Sequence, residues 1–122
     1  MNDQCATNEC ELNVCTNPAV YFENFDSGAN GWTSSGLWEL GTPANDTINT
    51  ANSAPNAWMT DLDADYPASV VGQYLESPPL DLTGSTDDPV LSFAQNFVTE
   101  NCCDEGWLEM SIDGGATYAR VL

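Results

Sequence analysis

Short apolar runs alternate with polar positions along most of the chain, and no segment carries the apolar stripe of an amphipathic helix. Clusters of Gly, Pro, Asn and Asp separate these runs and are typical of turns. The pattern predicts an all-β, antiparallel β-sandwich. The predicted strands cover residues 20–25, 37–40, 57–60, 73–77, 90–98, 107–112 and 117–122.

Residues 1–19 differ from the rest because they are rich in Asn, Asp, Glu, Thr and Cys and contain little that could pack. We therefore predict a Cys-rich N-terminal arm at 1–19 and a β-sandwich domain at 20–122. A chain of 122 residues supports a single core. Within 90–98 the alternation slips after Phe93, which indicates a bulge or burial on both faces.

The charge balance limits which partners and activities are compatible with this chain. The chain has 19 acidic side chains, one basic one (Arg120) and no Lys or His, for a net charge of -18. Such a surface cannot neutralise phosphates, which excludes nucleic acid and anionic lipid as partners. The commonest general base and the Schiff-base amine are missing, so we predict a binding protein and not an enzyme. No apolar stretch is long enough for membrane insertion.

Five cysteines indicate a disulfide framework and an extracellular or cell-surface setting. Two bridges and one leftover thiol allow fifteen pairings, among which the sequence does not choose. A bridge between two adjacent cysteines is strained, so we expect Cys102 and Cys103 to bond separately to the N-terminal arm. The fifth thiol is then free or bonded to another chain. The cysteines are Cys5, Cys10, Cys15, Cys102 and Cys103.

Two local motifs stand out. The stretch Ser111–Tyr118 predicts a hairpin turn at Asp113, Gly114 and Gly115, because Asp-Gly tolerates positive φ and the carboxylate accepts backbone N–H groups. It resembles the Asp-box hairpin, with Tyr118 at the usual Trp position, which implies a structural role. The second motif is a glycosylation sequon at Asn45, relevant where the host glycosylates proteins.

Several short motifs follow one another in the body of the chain. They are Asn24-Phe25-Asp26, Gly31-Trp32, Trp38-Glu39, Asn56-Ala57-Trp58, Tyr74 to Pro78, Leu91-Ser92-Phe93 and Asp104 to Glu109. In this order they resemble the core of a MAM-like module, in particular the bacterial variant of surface-anchored proteins and immune inhibitor A-type metalloproteases. The resemblance runs from about residue 20 to the end of the chain.

The resemblance implies a jelly-roll-like sandwich with a non-catalytic role in adhesion or targeting, often with bound calcium. The implied Ca²⁺ ligands lie between the first strand and the acidic loop. Residue types nominate Glu23, Asp26, Asp61, Asp63 and Asp65. The alternative for these acids is a solvated face. Because the family continues with further strands, we expect the sandwich to be incomplete at its C-terminal end.

Three functions therefore compete. The first is an extracellular, non-catalytic adhesion or targeting module that binds cell-surface or matrix glycans or proteins. The second is a subunit of an extracellular filament, in which the arm or a strand is exchanged between neighbouring copies. The third is an accessory domain of a secreted protease.

Overall fold

The computed structural model describes residues 20–121 and, for their backbone, Cys10–Glu11 and Val14–Cys15. This part of the chain is all-β: it contains short antiparallel strands and no helix. In chain order the strands are β1 (Cys10–Glu11), β2 (Val14–Cys15), β3 (Thr33–Ser34), β4 (Trp38–Gly41), β5 (Ala57–Thr60), β6 (Leu75–Glu76), β7 (Glu109–Met110) and β8 (Ala119–Arg120).

Each described strand has one partner, which gives the small sheets β1–β2, β3–β6, β4–β5 and β7–β8. The longest ladder is β4–β5, where Trp38 lies opposite Thr60 and Leu40 lies opposite Trp58. Because side chains alternate across a strand, Trp38, Leu40 and Trp58 share one face of this sheet. Most of the predicted arm, including Cys5, lies outside the described residues.

The predicted strand positions agree with the structure unevenly. The prediction at 57–60 matches β5, and the prediction at 37–40 is shifted by one residue from β4. Shorter ladders form inside the predictions at 73–77, 107–112 and 117–122. The predicted strands at 20–25 and 90–98 are wrong, because neither segment belongs to a ladder.

Side-chain contacts, and not a ladder, hold residues 20–25. The Trp32 indole Nε1–H donates to the Tyr21 hydroxyl at 2.8 Å. The Phe25 and Trp32 rings meet edge to face with centroids 5.3 Å apart. The Asn56 amide donates to the Phe25 carbonyl at 3.1 Å, which ties this segment to the start of β5. Competing local contacts therefore replace the strand that the apolar pattern predicted.

The described residues bury little apolar surface. Pro43 and Asn45 are the buried residues there, and none of the large hydrophobic side chains is buried. The clearest exposed region is residues 90–98, which we call the apolar segment. Its Val90 and Phe97 side chains are 81% and 68% exposed, and the segment contains no charged residue. A stable domain normally hides such a segment.

Candidate functional site

A buried polar side chain, Asn45, joins two loops. Asn45 is 6% exposed, and its amide donates to the Ala64 carbonyl at 2.7 Å. Its Oδ1 accepts the Thr47 backbone N–H at 2.8 Å. The Ala44 N–H also donates to the Leu62 carbonyl at 2.7 Å. Residues 44–47 are therefore fixed against residues 61–65.

The second of these loops turns at Asp61, which adopts a positive φ of 73°. The Asp61 Oδ1 accepts backbone N–H groups from Asp63 at 3.3 Å and Ala64 at 2.9 Å. Asp tolerates this backbone conformation because its short side chain can hydrogen-bond the next residues. The chain therefore bends at the start of the Asp61-Leu62-Asp63-Ala64-Asp65 cluster for a local reason, the hydrogen bonds of the Asp61 carboxylate.

An open cavity of about 450 Å³ lies between the two loops. Its lining includes three carboxylates, from Asp46, Asp63 and Asp65, together with Asn45 and Thr47. The Asn45 amide approaches Asp65 Oδ1 at 3.5 Å. The cavity is polar and negatively charged, so it suits a small cationic or hydroxylated group. Sequence reasoning missed Asp46 because its importance depends on the fold of the opposite loop.

The five residues nominated for calcium do not fit one ion as the chain is folded. No three of them bring ligand oxygens within 4.8 Å of one another. Glu23 accepts the Phe25 backbone N–H at 2.6 Å and the Asn30 amide at 2.9 Å. Asp26 accepts the Asn24 amide at 2.9 Å, and Asp61 caps its own turn. Asp63 and Asp65 line the acidic cavity, where neither Glu23 nor Asp26 is found.

The geometry also argues against a glycan on Asn45. Glycosylation requires an accessible side-chain nitrogen, whereas this one is buried and donates to Ala64. The sequon marks an Asx-type turn, since Asn45 accepts the N–H of the residue two positions on. In the folded chain its role is structural.

The expected bridges from Cys102 and Cys103 to the arm are a wrong prediction. The two sulfurs are bonded to each other in an exposed turn at 101–103. Adjacent residues need no long loop closure to meet, so the entropic cost of pairing them is small. The prediction rests on the strain of an adjacent bridge and takes no account of this small entropic cost. Of Cys10 and Cys15 the structure describes the backbone, which pairs them across β1–β2.

The residues around this disulfide do not make a metal centre as folded. Ligand atoms of Glu100, Cys102 and Cys103 lie within 4.8 Å of one another. Metals bind thiolates, however, and disulfide sulfurs are not thiolates. Asp104 is also engaged, because it accepts the Tyr66 hydroxyl at 2.6 Å and the Glu100 N–H at 3.2 Å. These hydrogen bonds lower the pKa of Asp104 and raise that of Tyr66.

The turn between β7 and β8 is organised by Asp113. Its carboxylate accepts the Thr117 hydroxyl at 2.6 Å, the Thr117 N–H at 2.9 Å and the Ser111 hydroxyl at 2.8 Å. Gly114 and Gly115 follow at φ of 75° and 86°, a region that a side chain would strain. The Tyr118 hydroxyl donates to Glu76, so the hairpin also contacts β6.

We expect this hairpin to open in acid. Hydrogen bonds from Thr117, and then from Ser111, lower the pKa of Asp113 to about 2. A carboxylate with a lowered pKa stabilises the fold above its ordinary pKa and loses that contribution as the pH falls through about 2. The protection factor of the Thr117 amide, which corrects for the pH dependence of chemical exchange itself, should therefore fall between about pH 4 and pH 2.

Asp113→Asn provides the control for the acid prediction, since it cannot ionise and its Thr117 protection factor should be low and independent of pH. Thr117→Val removes the hydroxyl bond alone, and the midpoint of its transition should move to higher pH. A Thr117 protection factor that does not change with pH in the unaltered chain would contradict the assignment.

The single basic side chain is already engaged. The Arg120 guanidinium carbon lies 4.2 Å from the centre of the Trp107 ring, and the Trp107 Nε1–H donates to Glu109 at 3.0 Å. Stacking of this kind attracts a cation to the face of the ring. Arg120 thus stabilises the β7–β8 hairpin, and the remaining surface is dominated by carboxylates.

Comparisons with protein-family models, with curated proteins and with solved structures gave no match for this chain. No helix with the length and apolar character of a membrane span occurs in the described part of the chain.

Proposed function

We propose that this chain is a non-catalytic extracellular module that acts in adhesion or targeting by binding another polypeptide or a glycan. The observation that carries the proposal is the apolar segment, which is uncharged, exposed and outside every ladder of the described residues. Exposed apolar surface of this kind marks a binding region more often than a solvated face.

Chemistry supports binding over catalysis. The sequence lacks imidazole and amine side chains, and its single guanidinium stacks on Trp107. The carboxylate with the strongest pKa shift, Asp113, owes that shift to hydrogen bonds inside its own turn. The Cys102–Cys103 disulfide supports an oxidising, extracellular setting. We further propose that residues 20–122 belong to a jelly-roll-like sandwich of the MAM-like type.

The filament subunit is the second candidate, and the same apolar segment favours it. Unpaired backbone groups recruit strands, and recruitment between copies of one chain propagates when the contact is head to tail. Sedimentation velocity over a wide range of protein concentration separates the two candidates. A monomer throughout the range supports the module, and growth to larger species with concentration supports the filament.

Calcium binding is a separate proposal that rests on the resemblance, and it requires Glu23, Asp26, Asp61, Asp63 and Asp65 to rearrange around the ion, because no three of them bring ligand oxygens together in this structure. It predicts a higher melting midpoint in calcium than in EDTA, since a ligand that binds the folded state alone stabilises it. Magnesium at the same concentration is the control, because it is a poor match for flexible carboxylate sites. An unchanged midpoint in saturating calcium would remove the proposal.

The proposed function is tested with the purified chain on immobilised matrix proteins and a glycan panel, beside turnover assays with ester, peptide and glycoside substrates. We expect saturable binding to at least one immobilised ligand and no turnover. Turnover that a single carboxylate substitution abolishes would overturn the proposal.

A further inference from the structure

Within the described residues the apolar segment is unpaired, although its sequence pattern predicts a strand. Its residues form no helix, turn or ladder, and no backbone hydrogen bond within the described residues involves it. Leu91, Phe93 and Phe97 lie at odd-numbered positions, with Gln95 between the two phenylalanines, and all three are more than half exposed. A strand of this length reaches about 30 Å, which is ample for pairing with another chain.

Acidic side chains stand at both ends of this uncharged segment. Asp87 and Asp88 precede it, and Glu100 follows it; all three are exposed. None of the three accepts a side-chain or backbone hydrogen bond through its carboxylate in the described part of the chain. Their charges are therefore free to select what binds between them.

This charge pattern disfavours pairing of the apolar segment with the same segment of a second copy. In antiparallel pairing, Asp87 and Asp88 of one copy would lie beside Glu100 of the other at both ends. In parallel pairing, each acid would lie beside its own counterpart. Like charges on facing strands are destabilising, and the net charge of -18 on each copy adds to the repulsion. A strand with basic ends would reverse every one of these interactions.

We propose that the apolar segment binds an extended strand of a separate polypeptide whose centre is uncharged and rich in β-branched residues and whose two ends carry Lys or Arg. The inference rests on the proposed function and specifies its partner. Main-chain hydrogen bonds would supply the affinity. Apolar side chains on one face of the paired strands would fix the register, and the charges at the two ends would determine the specificity.

The probe is a synthetic peptide of about seven alternating Val and Thr residues with paired Lys at both ends. The control peptide has Glu in place of Lys. We expect saturable binding of the basic peptide by NMR titration, at least about tenfold slower exchange of the amides in 90–98, and affinity that falls with salt. The acidic peptide should bind at least about tenfold more weakly.

Proline substitutions show which edge of the segment is used. Successive N–H groups of a strand point to opposite edges, so Ala94→Pro and Gln95→Pro each remove a donor from a different edge. We expect one of them to weaken peptide binding at least about tenfold. Ala94→Ser and Gln95→Thr are the matched controls and should bind normally. Both positions lie outside the ladders, so the near-ultraviolet circular dichroism of all four variants should be unchanged.

The charge variant Asp87→Asn/Asp88→Asn/Glu100→Gln should weaken binding of the basic peptide and flatten its salt dependence. Equal binding of both peptides, or no effect of the charge variant, would overturn the inference. Protection of 90–98 that rises with protein concentration and needs no peptide would identify a second copy instead. If the basic peptide fails while an immobilised glycan or matrix protein still binds, the inference fails and the proposed function stands.

Discussion

Trp58→Ala is expected to lower the free energy of unfolding by about 2–3 kcal/mol, because the central aromatic residue of β5 is partly buried opposite Leu40. Full burial of a tryptophan would raise the loss to about 3–5 kcal/mol. The measurement is urea denaturation followed by far-ultraviolet circular dichroism, which does not depend on tryptophan fluorescence.

The matched variant is Trp58→Phe. The Trp58 Nε1 atom is buried and has no acceptor within the described residues, as is also true of Trp38. Removing an unpaired buried donor recovers about 1–3 kcal/mol of desolvation, which offsets much of the lost packing. We therefore expect Trp58→Phe to be far milder than Trp58→Ala. Equal losses for the two variants would show that the indole nitrogen has a partner in solution.

Asn45→Ala is expected to cost about 2 kcal/mol. The substitution removes the bond to the Ala64 carbonyl and the acceptor for the Thr47 N–H, and it leaves both groups unpaired between two packed loops. The same denaturation experiment measures the loss. Asn49→Ala is the control, since Asn49 is exposed in the same loop and should change stability by less than about 0.5 kcal/mol.

If the Asn45 and Asn49 variants lose the same stability, the loops at 44–47 and 61–65 are not held together as described. A glycan at Asn45 would have the same effect as the alanine variant, because the amide cannot carry a sugar and donate to Ala64 at once. Mass spectrometry of chain secreted from a glycosylating host tests this directly.

Sequence patterns predicted the parts of the fold that are determined by contacts between residues close together in the chain. Alternation located β5, because Ala57 to Thr60 meet a partner strand of the same length. The Asp113 turn depends on residues no more than four positions apart, so its hydrogen bonds are encoded within the motif itself. The described residues contain no helix, which agrees with the lack of any apolar stripe in the sequence.

Features that depend on distant partners were beyond sequence reasoning. The 90–98 pattern describes a strand, but a pattern cannot show whether a second strand is available. Asn45 carries a sequon that says nothing of Ala64, which is 19 residues away. The resemblance and the residue types nominated the calcium ligands, whereas coordination depends on the distances between their oxygens.

The disulfide illustrates a different limit. The strain of an adjacent bridge predicts partners in the arm for Cys102 and Cys103. The closeness of the two residues in the chain favours the bridge between them that the structure contains. Because Cys102 and Cys103 are bonded to each other, the sequence prediction no longer gives Cys5, Cys10 and Cys15 a bonding partner in the region after the apolar segment. The expectation of an oxidising environment remains, because it depends on a disulfide and not on its connectivity.

Residue-resolved hydrogen exchange of the isolated monomeric chain tests the central claim, that residues 90–98 are unpaired in the folded chain. We expect amides of the β4–β5 ladder to be protected and amides of 90–98 to exchange at nearly the rate of an unstructured peptide. Strong protection across 90–98 in a chain shown by sedimentation to be monomeric would mean that the segment is already paired within its own fold, and the docking surface would not exist.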